Sequence, residues 1–103
     1  MDPSIVFAHD LDDALKRASV GHVTDQQSTP LETPSPLKAW PDVPTHVIAA
    51  AEDRFFPAEF MRRQAADRLG LPIDIIPGSH SAALTQPRAL VDLLLNYGRD
   101  TQR

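Results

Sequence analysis

The sequence contains no cysteine, so no disulfide can staple the chain. Its longest apolar run, Val47 to Ala51, falls far short of the roughly 20 residues that cross a bilayer, which excludes a membrane segment of that kind. The start, Met1-Asp2-Pro3-Ser4, has neither the basic residues nor the apolar stretch of a secretion signal, and cytoplasmic is the expected location. The ten Lys and Arg residues are scattered rather than gathered into a stripe, and the formal net charge is −4. Nucleic acid is therefore not an expected partner.

What is present is ordinary for a globular protein: 42% hydrophobic and 23% charged residues over 103 positions, enough for one domain or a piece of one. Ten prolines are too many for a helical bundle. Asp10 stands before Leu11, Ala14, Leu15 and Ala18, which recur at helical spacing, and Gly21 follows; this predicts a short helix over 11–20 with Asp10 as its N-cap. From Thr24 to Pro36 the residues are polar and proline-rich, the composition of a connector. Residues 1–39 thus read as a helix and a connector, and residues 40–103 as a separate segment.

That second segment begins at Trp40-Pro41-Asp42-Val43-Pro44, which leads into Thr45 to Ala50, an unalternating apolar run that predicts a strand buried on both faces. Pro57 opens a helix over 57–69 in which Met61, Ala65 and Leu69 recur four apart, with Gly70 as its terminator. Pro72 to Ile76 predicts a second strand, closed by Pro77-Gly78. Pro87 opens a last helix with Leu90, Val91, Leu94 and Leu95 on one stripe, ending near Tyr97-Gly98. The order strand, helix, strand, helix predicts an α/β fold: two parallel strands with three helices, a βαβα layer. Two strands make a poor sheet, so more sheet is expected upstream of residue 1.

Asp53 follows directly on the first predicted strand and His80 on the second. In a parallel unit both strand C-termini lie on one edge of the sheet, so the two side chains can meet although 27 positions separate them. A carboxylate there would fix the imidazole tautomer and steady the imidazolium formed when the ring takes a proton, as in the orienting half of a catalytic triad. The plainer reading makes Asp53 the cap of the following helix and His80 a loop residue. Phe55 and Phe56 could line an acyl or alcohol pocket, but packing between helix and sheet is the simpler expectation. His46 is expected within the first strand.

The wording of these stretches favours the dyad. Trp40-Pro41-Asp42-Val43-Pro44-Thr45, then Ala50 to Pro57, then Ile76-Pro77-Gly78-Ser79-His80 and Ala83-Leu84-Thr85-Gln86-Pro87 resemble the C-terminal part of α/β-hydrolase family proteins. That family's acid commonly stands in Gly-x-x-Asp and its histidine in Gly-Gly-His before a helix-opening proline. The resemblance implies Asp53 as acid and His80 as histidine of a Ser-His-Asp triad, with Ala50 and Ser79 replacing the usual glycines. Upstream, Phe7-Ala8-His9-Asp10-Leu11 and Val23-Thr24-Asp25-Gln26 look like the end of the family's lid and its return to the core.

The family's nucleophile sits in Gly-x-Ser-x-Gly, before the acid and histidine in chain order. No such motif occurs among Ser4, Ser19, Ser28, Ser35, Ser79 and Ser81. Ser79 and Ser81, flanking the histidine, are expected to hydrogen-bond within its loop. The oxyanion hole, built beside the nucleophile, must be missing as well. His9-Asp10 with His22, Asp25 or Asp12 invites a metal reading, but the spacing of further ligands is not found; neither metal nor cofactor is expected.

These readings imply a partial, esterase-like α/β-hydrolase, truncated with respect to the family. It would supply acid and histidine for hydrolysis of a small ester or amide and be inactive alone. The alternatives are a non-enzymatic binding or assembly module using its exposed sheet edge, through self-association for instance, and a chain complemented by a separate N-terminal half.

Overall fold

The computed structural model describes residues 3–22 and 24–101; Met1, Asp2 and Val23, which enter the start and the lid-return reading, lie outside them. The described elements are α1 (Pro3–Val6), α2 (Asp13–Val20), α3 (Thr29–Glu32), β1 (Ile48–Ala50), α4 (Ala58–Leu69), β2 (Asp74–Ile76), α5 (Ala82–Thr85) and α6 (Pro87–Thr101). The architecture is mixed α/β: β1 and β2 form one small parallel sheet, in the register Ile48↔Asp74, Ala49↔Ile75 and Ala50↔Ile76.

The strands are shorter than expected. Thr45 and His46 stay outside β1 because the proline-bracketed lead-in folds on itself: Trp40 Nε1 donates to Thr45 Oγ1 (2.8 Å), which donates in turn to the Val43 carbonyl (2.9 Å). His46 is not a strand residue; its ring stacks on Tyr97 with centroids 3.8 Å apart. The pairing nevertheless runs on beyond the strands. The Asp74 N–H donates to the Val47 carbonyl, Ala51 N–H to Ile76, and Glu52 N–H to Gly78, at 2.8–2.9 Å. Backbone hydrogen bonds thus carry both chains side by side into the loops that bear Asp53 and His80.

α4 starts one residue after Pro57, whose missing N–H costs nothing at a helix start. It ends at Gly70 in the left-handed conformation (φ 66°), whose N–H returns to the Ala65 and Ala66 carbonyls. Ala65 is buried, and this small side chain lets α4 settle against β1. The expected helix over 11–20 begins at Asp13, and its cap is Asp12, whose carboxylate accepts from Leu15 N–H at 2.8 Å. Asp10 is not the cap; its side chain is committed elsewhere. The connector contains the single turn α3, opened by Pro30. The last helix does not stop at Gly98 but runs through to Thr101, as one glycine costs only about 1 kcal/mol in a helix. It is fastened to the sheet by Tyr97, whose hydroxyl donates to Asp74. Burial and the Asp74 carboxylate push the Tyr97 hydroxyl up to about 12.

The core is small. Among the described residues the buried apolar side chains are Leu11, Ala49, Ala65, Ile76 and Ala82, three of them alanine. Larger apolar groups lie outside it: Ile75 is 47% exposed, so β2 is covered on one face only, and Leu94 is 51% exposed with Val91 and Leu95 beside it. The radius of gyration is 15.9 Å, where a compact domain of this length would have about 13 Å. The accessible surface is 8157 Å², against about 5,700 Å² for a folded monomer of this mass. Part of the sheet and the α6 stripe therefore stand uncovered. No helix among the described residues is long and apolar enough to cross a membrane.

Two glycines fix the chain path. A methyl at Gly70 meets nothing, so Gly70→Ala should cost only the left-handed conformation, about 1 kcal/mol. At Gly78 (φ 107°) a methyl would stand 2.8 Å from Gln86 Cγ and 3.3 Å from Ala82 Cβ, so Gly78→Ala should cost more. Urea unfolding midpoints falling in the order parent, G70A, G78A check this.

Candidate functional site

The extended pairing delivers Asp53 and His80 to one edge of the sheet, with Asp53 Oδ2 3.1 Å from His80 Nδ1. The Asp53 side chain is nearly buried (9% exposed), while the His80 side chain is one-third open (34%). An ionised carboxylate only accepts, so Nδ1 is the nitrogen that donates, and in the neutral ring Nε2 holds the lone pair. The second oxygen, Oδ1, accepts from the Phe55 and Phe56 N–H groups at 2.8 and 2.9 Å. The capping role and the dyad role, posed as rivals from the sequence, are divided between the two oxygens of one side chain. Two backbone donors hold the carboxylate so that the other oxygen can face only the ring.

Phe56 stacks on Phe60 of α4 with centroids 6.2 Å apart, in part the packing against the helix expected of it, while Phe55 turns toward the histidine. Asp53 draws their backbone into a tight turn, and their rings come to 5.5 and 5.7 Å from the His80 ring, roughly 40% exposed. Phe7 completes an aromatic wall at 5.1 Å from His80 and 4.8 Å from Phe55. Beside this wall a cleft of about 210 Å³ is lined by Asp53, Phe56, Met61, Ile76, Ser79 and His80. A larger cleft of about 700 Å³, between residues 35–40 and α4, contains neither member of the dyad.

The histidine loop is tied down residue by residue. Gly78 N–H donates to Glu52 Oε2 (2.5 Å). Ser79 is fully buried (0%); its N–H donates to Asp10 Oδ2 (3.0 Å) and its hydroxyl to Asp10 Oδ1. Ser81 donates its N–H to Ser79 Oγ (3.1 Å) and its hydroxyl to the Phe7 carbonyl (2.5 Å). The serines on either side of His80 do hydrogen-bond within the loop, and neither faces Nε2 as a nucleophile. Asp10 also accepts from Thr85 Oγ1 at 2.8 Å. Burial by itself would raise the Asp10 carboxyl, but the hydrogen bonds from Ser79 and Thr85 outweigh it and hold it below the ordinary carboxylate value.

His9 and Asp10 turn to different partners: His9 Nε2–H donates to the Glu52 carbonyl at 2.8 Å, next to Asp53. Among the described residues no three His, Asp or Glu side chains converge as metal ligands. As site residues the sequence offered His9 and Asp10 only as possible metal ligands and did not mark Phe7 or Glu52; the roles these four take were not legible, because their partners lie 26–75 positions away and no local spacing signals them. Comparison with protein-family models, with curated proteins and with solved structures found no match to this chain.

The arrangement can hold a neutral imidazole in one tautomer, on a ring that lines the cleft and can take a proton at its other nitrogen. Asp53→Asn would keep the Oδ1 cap but aim an N–H at Nδ1, so the ring should switch its proton to Nε2. Long-range 1H–15N spectra of the His80 ring would read that switch. The Asp10 contribution to stability should be complete above the unfolded carboxyl value of about 3.9 and be lost as pH falls through the lower folded value. Thermal melts from neutral into acid should therefore show Asp10→Asn with a lower midpoint at neutral pH and a shallower acid decline than the parent.

Proposed function

We propose that this chain is the C-terminal part of an α/β-hydrolase fold, supplying acid Asp53 and base His80 for hydrolysis of a small ester or amide through an acyl-enzyme. The observation that carries this reading is the 3.1 Å bond from Asp53 Oδ2 to His80 Nδ1, with Nε2 left free beside a cleft. It joins the residues that the resemblance names, at the strand ends where the family places them. Phe56, Met61 and Ile76 in the lining of that cleft favour an apolar acyl or alcohol group on the substrate.

The 103 residues hold no Gly-x-Ser-x-Gly, so in this reading the nucleophile and the oxyanion donors come from outside them, on the same polypeptide or on another. The uncovered Ile75 and α6 stripe are what a larger sheet with its helices would bury. The same uncovered surface favours a second reading, a binding or assembly module that closes its sheet edge against a partner. The oriented histidine distinguishes the two, since an assembly module has no use for a fixed tautomer beside an apolar cleft.

Fluorophosphonate should label no serine on this chain alone. Co-expression with a Gly-x-Ser-x-Gly segment encoded at the same locus should restore ester hydrolysis and serine labelling, and His80→Ala should then cut turnover by roughly 10²- to 10⁴-fold. Stoichiometric labelling of the lone chain would overturn the hydrolase reading. So would a monodisperse, cooperatively melting oligomer that neither gains activity on co-expression nor responds to His80→Ala.

A further inference from the structure

The dyad explains how the His80 ring is aimed, but not what holds the backbone that carries it. Ser79 is the most deeply buried polar residue described, and its polar side chain lies against the sheet end rather than in solvent. Both its N–H and its hydroxyl are consumed by one carboxylate, Asp10, 69 positions earlier in the chain. The same carboxylate reaches over the loop to Thr85 at the end of α5, so it clasps the histidine loop on both sides of His80. Around it the segment 5–11 makes three further attachments: Phe7 carbonyl to Ser81, His9 to the Glu52 carbonyl, and Ile5 carbonyl to Arg54 (3.3 Å). Every one of these lands within two residues of Asp53 or His80.

We infer that Asp10 is a positioning residue for His80: by binding Ser79 and Thr85 it fixes the loop backbone so that the imidazole stays at hydrogen-bonding distance from Asp53. Ser79 is the receiving half of this device. A glycine there would offer the N–H alone, whereas the serine hydroxyl gives the carboxylate a second grip and then accepts from Ser81 N–H, passing the restraint across the histidine. Two carboxylates therefore divide the work, Asp53 on the ring and Asp10 on the backbone. The lowered Asp10 carboxyl keeps the clasp charged at a pH where an ordinary aspartate would begin to protonate. Asp10 touches no reacting atom, so its effect reaches the chemistry only through the geometry of His80.

This inference rests on Asp53 and His80 being a functional pair, and the experiment separates the two claims. In the full chain, long-range 1H–15N spectra report the His80 tautomer, and circular dichroism melts report the fold. Asp10→Ala should leave the circular dichroism spectrum intact while the His80 ring loses its single Nδ1–H form and shows a mixture of both tautomers. Ser79→Ala, which keeps the N–H donor but removes the hydroxyl, should give a smaller change of the same kind, and Asp10→Glu should restore part of the parent signal. If D10A unfolds the chain, S79A carries the test alone. Parent-like His80 signals in folded D10A, or in S79A where D10A unfolds, overturn the role of Asp10. Asp53→Asn is the control: if it too leaves the His80 signals unchanged, the pairing of Asp53 with His80 fails, and the clasp loses its purpose with it.

Discussion

Everything that gives this protein a site depends on the parallel pairing of two very short strands. β1 and β2 contribute only three residues each, yet the hydrogen-bonded ladder continues from Val47 to Glu52 on one side and from Asp74 to Gly78 on the other. Parallel strands about 4.8 Å apart bring their C-terminal loops to the same edge. Shifting β2 by one residue would turn Ile76 to the opposite face and separate Asp53 from His80. The site and the sheet are consequently one structure. The glycine at 78, in a conformation and a space that refuse a side chain, turns the second strand back toward the first.

On that frame, carboxylates supply the order that a large core would otherwise provide. Glu52 grips the Gly78 N–H, Asp53 grips its own turn and the imidazole, and Asp10 grips Ser79 and Thr85. Hydrogen bonds to ionised acceptors are stronger than neutral ones, and here the carboxylates accept from backbone N–H groups, short hydroxyl side chains and, at Asp53, the imidazole itself. None relies on a long flexible cation. Local rigidity at the histidine is thereby obtained with a buried apolar set of only Leu11, Ala49, Ala65, Ile76 and Ala82.

Away from the histidine much apolar surface is left open. Ile75, Val91, Leu94 and Leu95 stand exposed, and the surface exceeds what a monomer of this mass retains. A two-stranded parallel sheet whose second strand is covered on one face leaves apolar side chains and unpaired backbone groups at its margins. A further layer of sheet and helix would remove both. The hydrolase reading and the assembly reading share that requirement and differ only in what the added layer brings.

By itself the sequence determined the mixed α/β order of elements, the helix boundaries set by Pro57, Gly70 and Pro87, and the placing of Asp53 and His80 just past the two strands, because all of these follow from short-range rules: prolines and glycines at helix ends, apolar runs of strand length, and polar residues placed where strands finish; that the two side chains meet was decided by the parallel register. Only the tertiary structure decided what Asp10 does. Read locally it is a cap, and that role passed to Asp12, two residues on, once the chain folded. Its partners, Ser79 and Thr85, are 69 and 75 positions away, and no spacing within the sequence marks a pair that distant. Likewise the Phe7, Phe55 and Phe56 wall exists because Asp53 turns its own backbone and because residues 5–11 lie across both loops. A one-dimensional pattern records which residues are apolar or charged; which of them face each other across the sheet edge is settled by register and packing.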